Sequence, residues 1–202
     1  PVYINHAHLD AETSWGFPRM SVHNKSFLRE SLQDLRTQLL GMGSDLLEVS
    51  GDSVEIFQEL RAQLDTNMIY CEQIEAPEEL NQVNSLREVG FELKTVWQSS
   101  MIDPRSLPFE LKKMPDVYTQ FRQQVERHKL KFVTPVGAPT LIPPLPSIPN
   151  PAGFNYSGSI DGTSSRKSFV GGESSALAHI DQYLARRLPD TYKQTRNGLI
   201  GM

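Results

Sequence analysis

Apolar and polar positions along the chain alternate between two periods, and the alternation itself carries the first information. Val2-Tyr3-Ile4 is a short β-branched and aromatic run, the signature of a strand. Phe27 to Leu40 changes period: Leu28, Leu32, Leu35 and Leu39 recur at helical spacing, with Arg29, Glu30, Asp34 and Arg36 on the other side. Gly41 and Gly43 stop that helix. Asp45 to Val49 reads as a second strand. Asp52 then opens a helix with Glu55 three positions on, and Ile56, Phe57, Leu60 and Leu64 form its apolar face. Met68 to Cys71 is a third strand, short and mostly apolar as buried parallel strands are. Pro77 suits the first position of the next helix, with Glu78 and Glu79 in its first turn, Leu80, Val83 and Leu86 facing inward, and Gly90 at its end. Phe91 to Trp97 alternates with Glu92 and Lys94 as a fourth strand.

Strand and helix therefore follow each other as βαβαβαβ, which predicts an α/β fold: a Rossmann-like parallel sheet with helices on both faces. The pattern breaks near residue 134. Seven of the 14 prolines fall between Pro135 and Pro151, a density that neither a helix nor a central strand accepts, so an extended, partly polyproline II linker is expected there. Asn155 to Lys167 is rich in Gly, Ser and Asn and reads as loop. Glu173 to Leu188 is helical again, with Leu177, Ile180, Leu184 and Leu188 about one turn apart, and begins a separate module. Gly171-Gly172 is the turn into it, where glycine supplies backbone angles that other residues avoid.

Composition narrows the class further. The 202 residues are 38% hydrophobic and 22% charged, values of a globular chain, with a net charge of −4. That balance argues against broad electrostatic capture of nucleic acid and leaves room for a local basic patch. One cysteine, Cys71, excludes an internal disulfide framework and is expected as a small buried hydrophobe on a strand. No run of 18 apolar residues occurs, and Pro-Val-Tyr-Ile is not a secretory leader, so a soluble intracellular or cytoplasmic setting is expected.

Candidate chemistry is sparse. His6 and His8 are close, yet no further His, Cys or carboxylate set at metal spacing accompanies them, so no metal is expected. There is no Gly-x-Gly-x-x-Gly, no phosphate loop and no Gly-x-Ser-x-Gly turn. Trp97 is expected to pack at the end of its strand and Trp15 to anchor a loop. Glu78 lies just past the carboxyl end of the third strand, where ligands bind in doubly wound folds. As a helix-start acid it also suits the macrodipole, and Glu79 does so equally. Tyr192 and Arg196, four apart, share one face of a helix, and Lys193 and Arg196 near a helix C-terminus are favourable without any ligand.

Several segments together resemble the photolyase/cryptochrome family, and within it the DASH cryptochromes. They are Gly16-Phe17-Pro18-Arg19, Phe27 to Arg36, Gly43-Ser44-Asp45-Leu46-Leu47, Leu107-Pro108-Phe109, Pro115 to Arg122, Val125-Glu126, Gly171 to Leu177 and Tyr192 to Gly198, in the family's order. The resemblance implies a light-driven flavoprotein. Residues 1–134 match an α/β antenna domain whose first strand has no counterpart here, 135–170 an interdomain linker, and 171–202 the start of an all-α FAD-binding domain. It implies FAD, an antenna such as methenyltetrahydrofolate, and DNA containing pyrimidine dimers as partner. Tyr192 matches a residue near the flavin, Arg196 one near the DNA strand and Glu78 an acidic antenna contact. With the main FAD pocket lacking a counterpart, the chain by itself is expected neither to bind FAD nor to repair DNA. The alternative is a small-ligand-binding or protein-docking α/β module without catalysis.

Overall fold

The computed structural model describes residues 1–9, 11–130, 134–148 and 169–195. Its helices are α1 (Val22–Gly41), α2 (Ser53–Leu64), α3 (Pro77–Glu88), α4 (Tyr118–Arg127), α5 (Glu173–Ala185) and α6 (Tyr192–Thr195), and its strands are β1 (Val2–Asn5), β2 (Leu47–Ser50), β3 (Met68–Glu72) and β4 (Glu92–Val96). The order through β4 is the alternating one the periodicity predicts. The strands do not form one continuous sheet: β1 pairs in parallel with β2, and β3 in parallel with β4. The chain divides into two compact units, one of Pro1–Leu64 with Pro139–Met202 and one of Asp65–Ala138.

In the first unit β2 is the organising element, because it is covered on both faces. Leu47 and Val49 pack with Ile56 and Leu60 of α2, and Val49 is fully buried. Leu46 packs with Leu32 and Leu39 of α1, and Glu48, two residues on, reaches Arg29 of the same helix. The strand period of two thus sends alternate residues to the two helices. α1 starts at Ser21, whose hydroxyl accepts the Asn24 N–H at 3.3 Å, one and a half turns earlier than the leucine pattern indicates. Leu35 remains 45% exposed, off the buried stripe of Leu32 and Leu39. Asp52 caps α2 as its sequence predicts, accepting the N–H groups of Val54 and Glu55 at 2.8 and 3.2 Å. The proline-rich stretch in this unit is neither helix nor strand and is packed: Ile142 lies on the α1 cluster, Leu145 and Ile148 on the α2 cluster, and the Ile142 N–H donates to the Met42 carbonyl at 3.0 Å.

An ion pair ties α1 to the start of β2. Arg36 holds Asp45 with two bonds of 2.7 and 2.9 Å, and the Leu46 N–H adds a third at 2.7 Å. The guanidinium above all, then that amide, hold the Asp45 carboxyl below the ordinary aspartate range, while partial burial pushes the other way. A depressed pKa stabilises the fold above the ordinary value of about 3.9 and stops doing so as pH falls through the lower, folded value. Asp45→Asn is expected to flatten the loss of stability below about pH 4. Urea midpoints at pH 7 and pH 3 check this: an unchanged difference between the two midpoints in the variant sinks the assignment.

In the second unit α3 begins at Pro77 and ends where Gly90 takes φ +90°. Leu86 and Phe91 are its buried apolar pair. α4, which the leucine-based pattern does not reveal, sets Phe121 edge-on to Phe109 at 5.9 Å and Tyr118 stacked on Phe121 at 6.5 Å. No described helix is long and apolar enough to cross a membrane.

Candidate functional site

In doubly wound folds ligands gather at the carboxyl ends of parallel strands, and each strand pair here presents such an edge. In the second unit β3 ends at Glu72 and β4 at Val96. The Gln73 N–H donates to the Val96 carbonyl at 2.9 Å, which holds the two exits together. The Ser99 hydroxyl donates to Glu72 Oε1 at 3.0 Å, the Trp97 indole N–H to Ser100 Oγ at 2.9 Å, and Ser100 in turn to the Ile102 carbonyl at 2.6 Å. Trp97 is half-buried, fixed by this hydrogen bond at the strand's end. Glu72, Ser99 and Ser100 carry no sequence signal of their own; the register brings the end of β3 to the loop after β4.

Glu78 follows this edge as the second residue of α3, with an exposed side chain. The Ala76 N-cap supplies no side-chain acceptor, so Glu78 and Glu79 are the negative charges at the positive end of this helix. Cys71, on β3, is half-buried, and burial pushes its thiol up, away from the reactive thiolate.

The edge of the first unit carries His6, His8 and Ser53. His6 Nε2 and Ser53 Oγ lie 3.3 Å apart, and the two imidazoles stack at 5.2 Å. Burial first, then the neighbouring His8, lowers the His6 pKa, opposed by the Asp52 charge and a backbone contact at Gly51. Asp52 Oδ1 caps α2, and the Asp52 charge acts on His6 from there. Among the described residues no group of three or more His, Cys, Asp and Glu is placed to hold a metal ion. Trp15 is 81% exposed and so does not anchor its loop by burial.

Tyr192 opens the four-residue α6 and is 55% exposed. Arg196 lies outside the described residues, as do 149–168 of the expected linker.

Each unit thus holds a short parallel strand pair with its crossover helix, and the first also carries a packed proline-rich stretch, an α/β arrangement. Residues 1–147 match the family described as DNA photolyase, and the chain belongs to that family. It is 32% identical over 197 residues to cryptochrome DASH of Gloeobacter violaceus, covering 93% of this chain and 39% of that protein. It is 34% identical over 203 residues to cryptochrome DASH of Xenopus laevis, covering 93% of this chain and 38% of that one. The chain therefore spans well under half the length of these relatives. The crystal structure of the Synechocystis cryptochrome superposes over 99% of the chain and 43% of its own, with a TM-score of 0.82 and 30% identity. A class III photolyase from Agrobacterium tumefaciens shares the fold at a TM-score of 0.58 and 20% identity, over 92% of this chain and 38% of its own.

Proposed function

We propose that this chain is the antenna-bearing lobe, with the linker and the first helices of the FAD-binding module, of a blue-light flavoprotein of the DASH cryptochrome type. The observation that carries the reading is the likeness to the Synechocystis cryptochrome, which runs through residues on both sides of the proline-rich stretch and includes α5. In this reading residues 1–134 form the antenna domain, 135–170 the linker and 171–202 the start of the helical domain. The whole protein uses FAD to cleave pyrimidine dimers in single-stranded DNA, or to signal blue light.

The antenna lobe makes and breaks no bonds. Its task is to hold a pigment, methenyltetrahydrofolate or a similar reduced folate, at a fixed distance and angle from the flavin. Glu78 accepts hydrogen bonds from the pterin, and a carboxylate there costs little because the α3 N-terminus favours negative charge. Bound FAD supplies the light-driven electron transfer. Tyr192 packs at its edge, and Arg196 donates twice to a phosphate of the damaged strand, a geometry suited to its planar fork.

The test is an absorption spectrum of the longer flavoprotein that carries this segment, taken before and after blue light. Flavin bands with a near-ultraviolet antenna band are expected. Glu78→Gln is expected to weaken antenna binding about tenfold, the loss of about 1.4 kcal/mol from one charged hydrogen bond, with flavin content unchanged. A colourless, normally folded protein overturns the reading and favours a docking module. A coloured protein indifferent to Glu78→Gln removes Glu78 from the antenna site.

A further inference from the structure

α5 joins the first unit through its N-terminal backbone, on a stripe of α1 made by Glu30, Asp34 and Gln38. The spacing of four puts these three side chains in line along the helix. The Gly171 N–H donates to Glu30 Oε2 at 2.8 Å, the Ser174 N–H to Asp34 Oδ2 at 3.1 Å, and Gln38 Nε2 to Ser174 Oγ at 3.0 Å. A helix start leaves N–H groups without intrahelical partners, and the Gly172 N-cap has no side chain to take one. α1 supplies the acceptors from about 140 positions away in sequence, as the paired residue numbers show. The Ser174 hydroxyl first, then its amide, hold the Asp34 carboxyl below its ordinary range.

Steric fit makes the contact specific. A Cβ on Gly171 would lie 2.2 Å from the Phe27 carbonyl oxygen, a backbone atom that cannot move aside alone. A Cβ on Gly172 would lie 2.6 Å from Asp34 Cβ, and Gly172 has φ +105° besides. Both glycines are therefore required by the approach of α5 to α1 as well as by the turn. Apolar burial does little here: Leu177, Ile180 and Leu184 of α5 are each half or more exposed.

We propose that the Glu30–Asp34–Gln38 stripe of α1 is a docking site for the Gly171-Gly172-Glu173-Ser174 segment, and that this polar clasp, rather than apolar packing, fixes α5 on the first unit. The proposal does not rest on flavin, folate or DNA. It concerns the device that sets where the chain resumes helical structure after the linker. Two of its three bonds are exposed to water and individually weak, the Gly171–Glu30 bond is partly buried, and the clasp opens when both carboxylate acceptors are removed.

Spin labels at Gln33 and Gln182, in a Cys71→Ser background, report the α1–α5 distance by pulsed electron resonance. A single narrow distribution is expected for the parent chain. Glu30→Ala with Asp34→Ala is expected to widen it at least twofold while the circular dichroism spectrum and urea midpoint of the rest stay near the parent's. Gly172→Ala is expected to do the same. If that glycine variant misfolds, the carboxylate pair still decides. Leu177→Ser with Leu184→Ser is expected to leave the distribution narrow. A distribution that stays narrow without the two carboxylates, or that widens only with the leucine changes, overturns the proposal, and so does a broad distribution in the parent chain.

Discussion

Arg29→Ala is expected to lower the stability of this chain by about 2–3 kcal/mol, more than a change at an exposed pair such as Lys113–Glu110. Glu48 sits in the middle of β2, opposite Tyr3 of β1, with its side chain 3% exposed. Arg29 holds it through two contacts, 2.7 Å to Oε2 and 3.4 Å to Oε1. Removing the partner of a buried carboxylate commonly costs about 3–5 kcal/mol, since the charge then lacks compensation. The lower figure applies here because the Arg29 side chain is 30% exposed, so water reaches the vacated place. Tyr3 senses the same environment: burial first, then the Glu48 charge, raises its phenol pKa. The pair need not be worth much by itself. Arg29→Met with Glu48→Leu is expected to recover most of the loss, because a matched apolar pair carries no desolvation cost. Urea unfolding of the single and double variants measures both effects. If Arg29→Ala costs under about 1 kcal/mol, the typical worth of a surface pair, the carboxylate is not effectively buried.

That pair also shows where sequence reading stops. The helices and strands that follow local rules were legible: the Asp52 cap of α2, Pro77 at the start of α3, and the short apolar strand β3. Each is decided within about four residues, the reach of a cap or a turn. Glu48 looked like any polar residue in a strand, because its partner is on a helix 19 positions earlier. The clasp on α5 was half legible: Gly171-Gly172 announces a turn, and nothing in it names Glu30 and Asp34 as its acceptors. α4 escaped because Val117, Phe121 and Val125 give it only one apolar position per turn among polar ones. The aromatic bulk of Trp15 suggests an anchor, yet the residue lies almost wholly in water. The site follows the same division. That Glu78 follows a strand and lies in the first turn of α3 is a local feature. The Glu72–Ser99 bond depends on two loops meeting, which only the sheet register determines.

Replacing Ile142, Leu145 and Ile148 together with Ser is expected to cost about 3 kcal/mol, an effect that a mere linker would not show. Each side chain is half-buried, so each contributes about half of the roughly 1.5–3 kcal/mol that full burial of such a residue gives. Ile142 packs on the Leu32–Leu39–Leu46 cluster, whereas Leu145 and Ile148 pack on the Leu47–Val49–Ile56–Leu60 cluster, so the losses fall on both faces of β2 and largely add. The prolines explain how a segment without helix or strand can lie against a core. Pro143, Pro144 and Pro146 have no N–H to satisfy, and they restrict the unfolded chain, so less entropy is lost when the strap docks. The control is built into the same stretch of sequence. Val136 is 95% exposed and Leu141 is 76% exposed, and Ser at both positions is expected to change stability by less than about 0.5 kcal/mol. Urea unfolding separates the two outcomes. If the triple variant unfolds at the parent's urea midpoint, the strap does not hold β2 between its two helices, and the cores close without it.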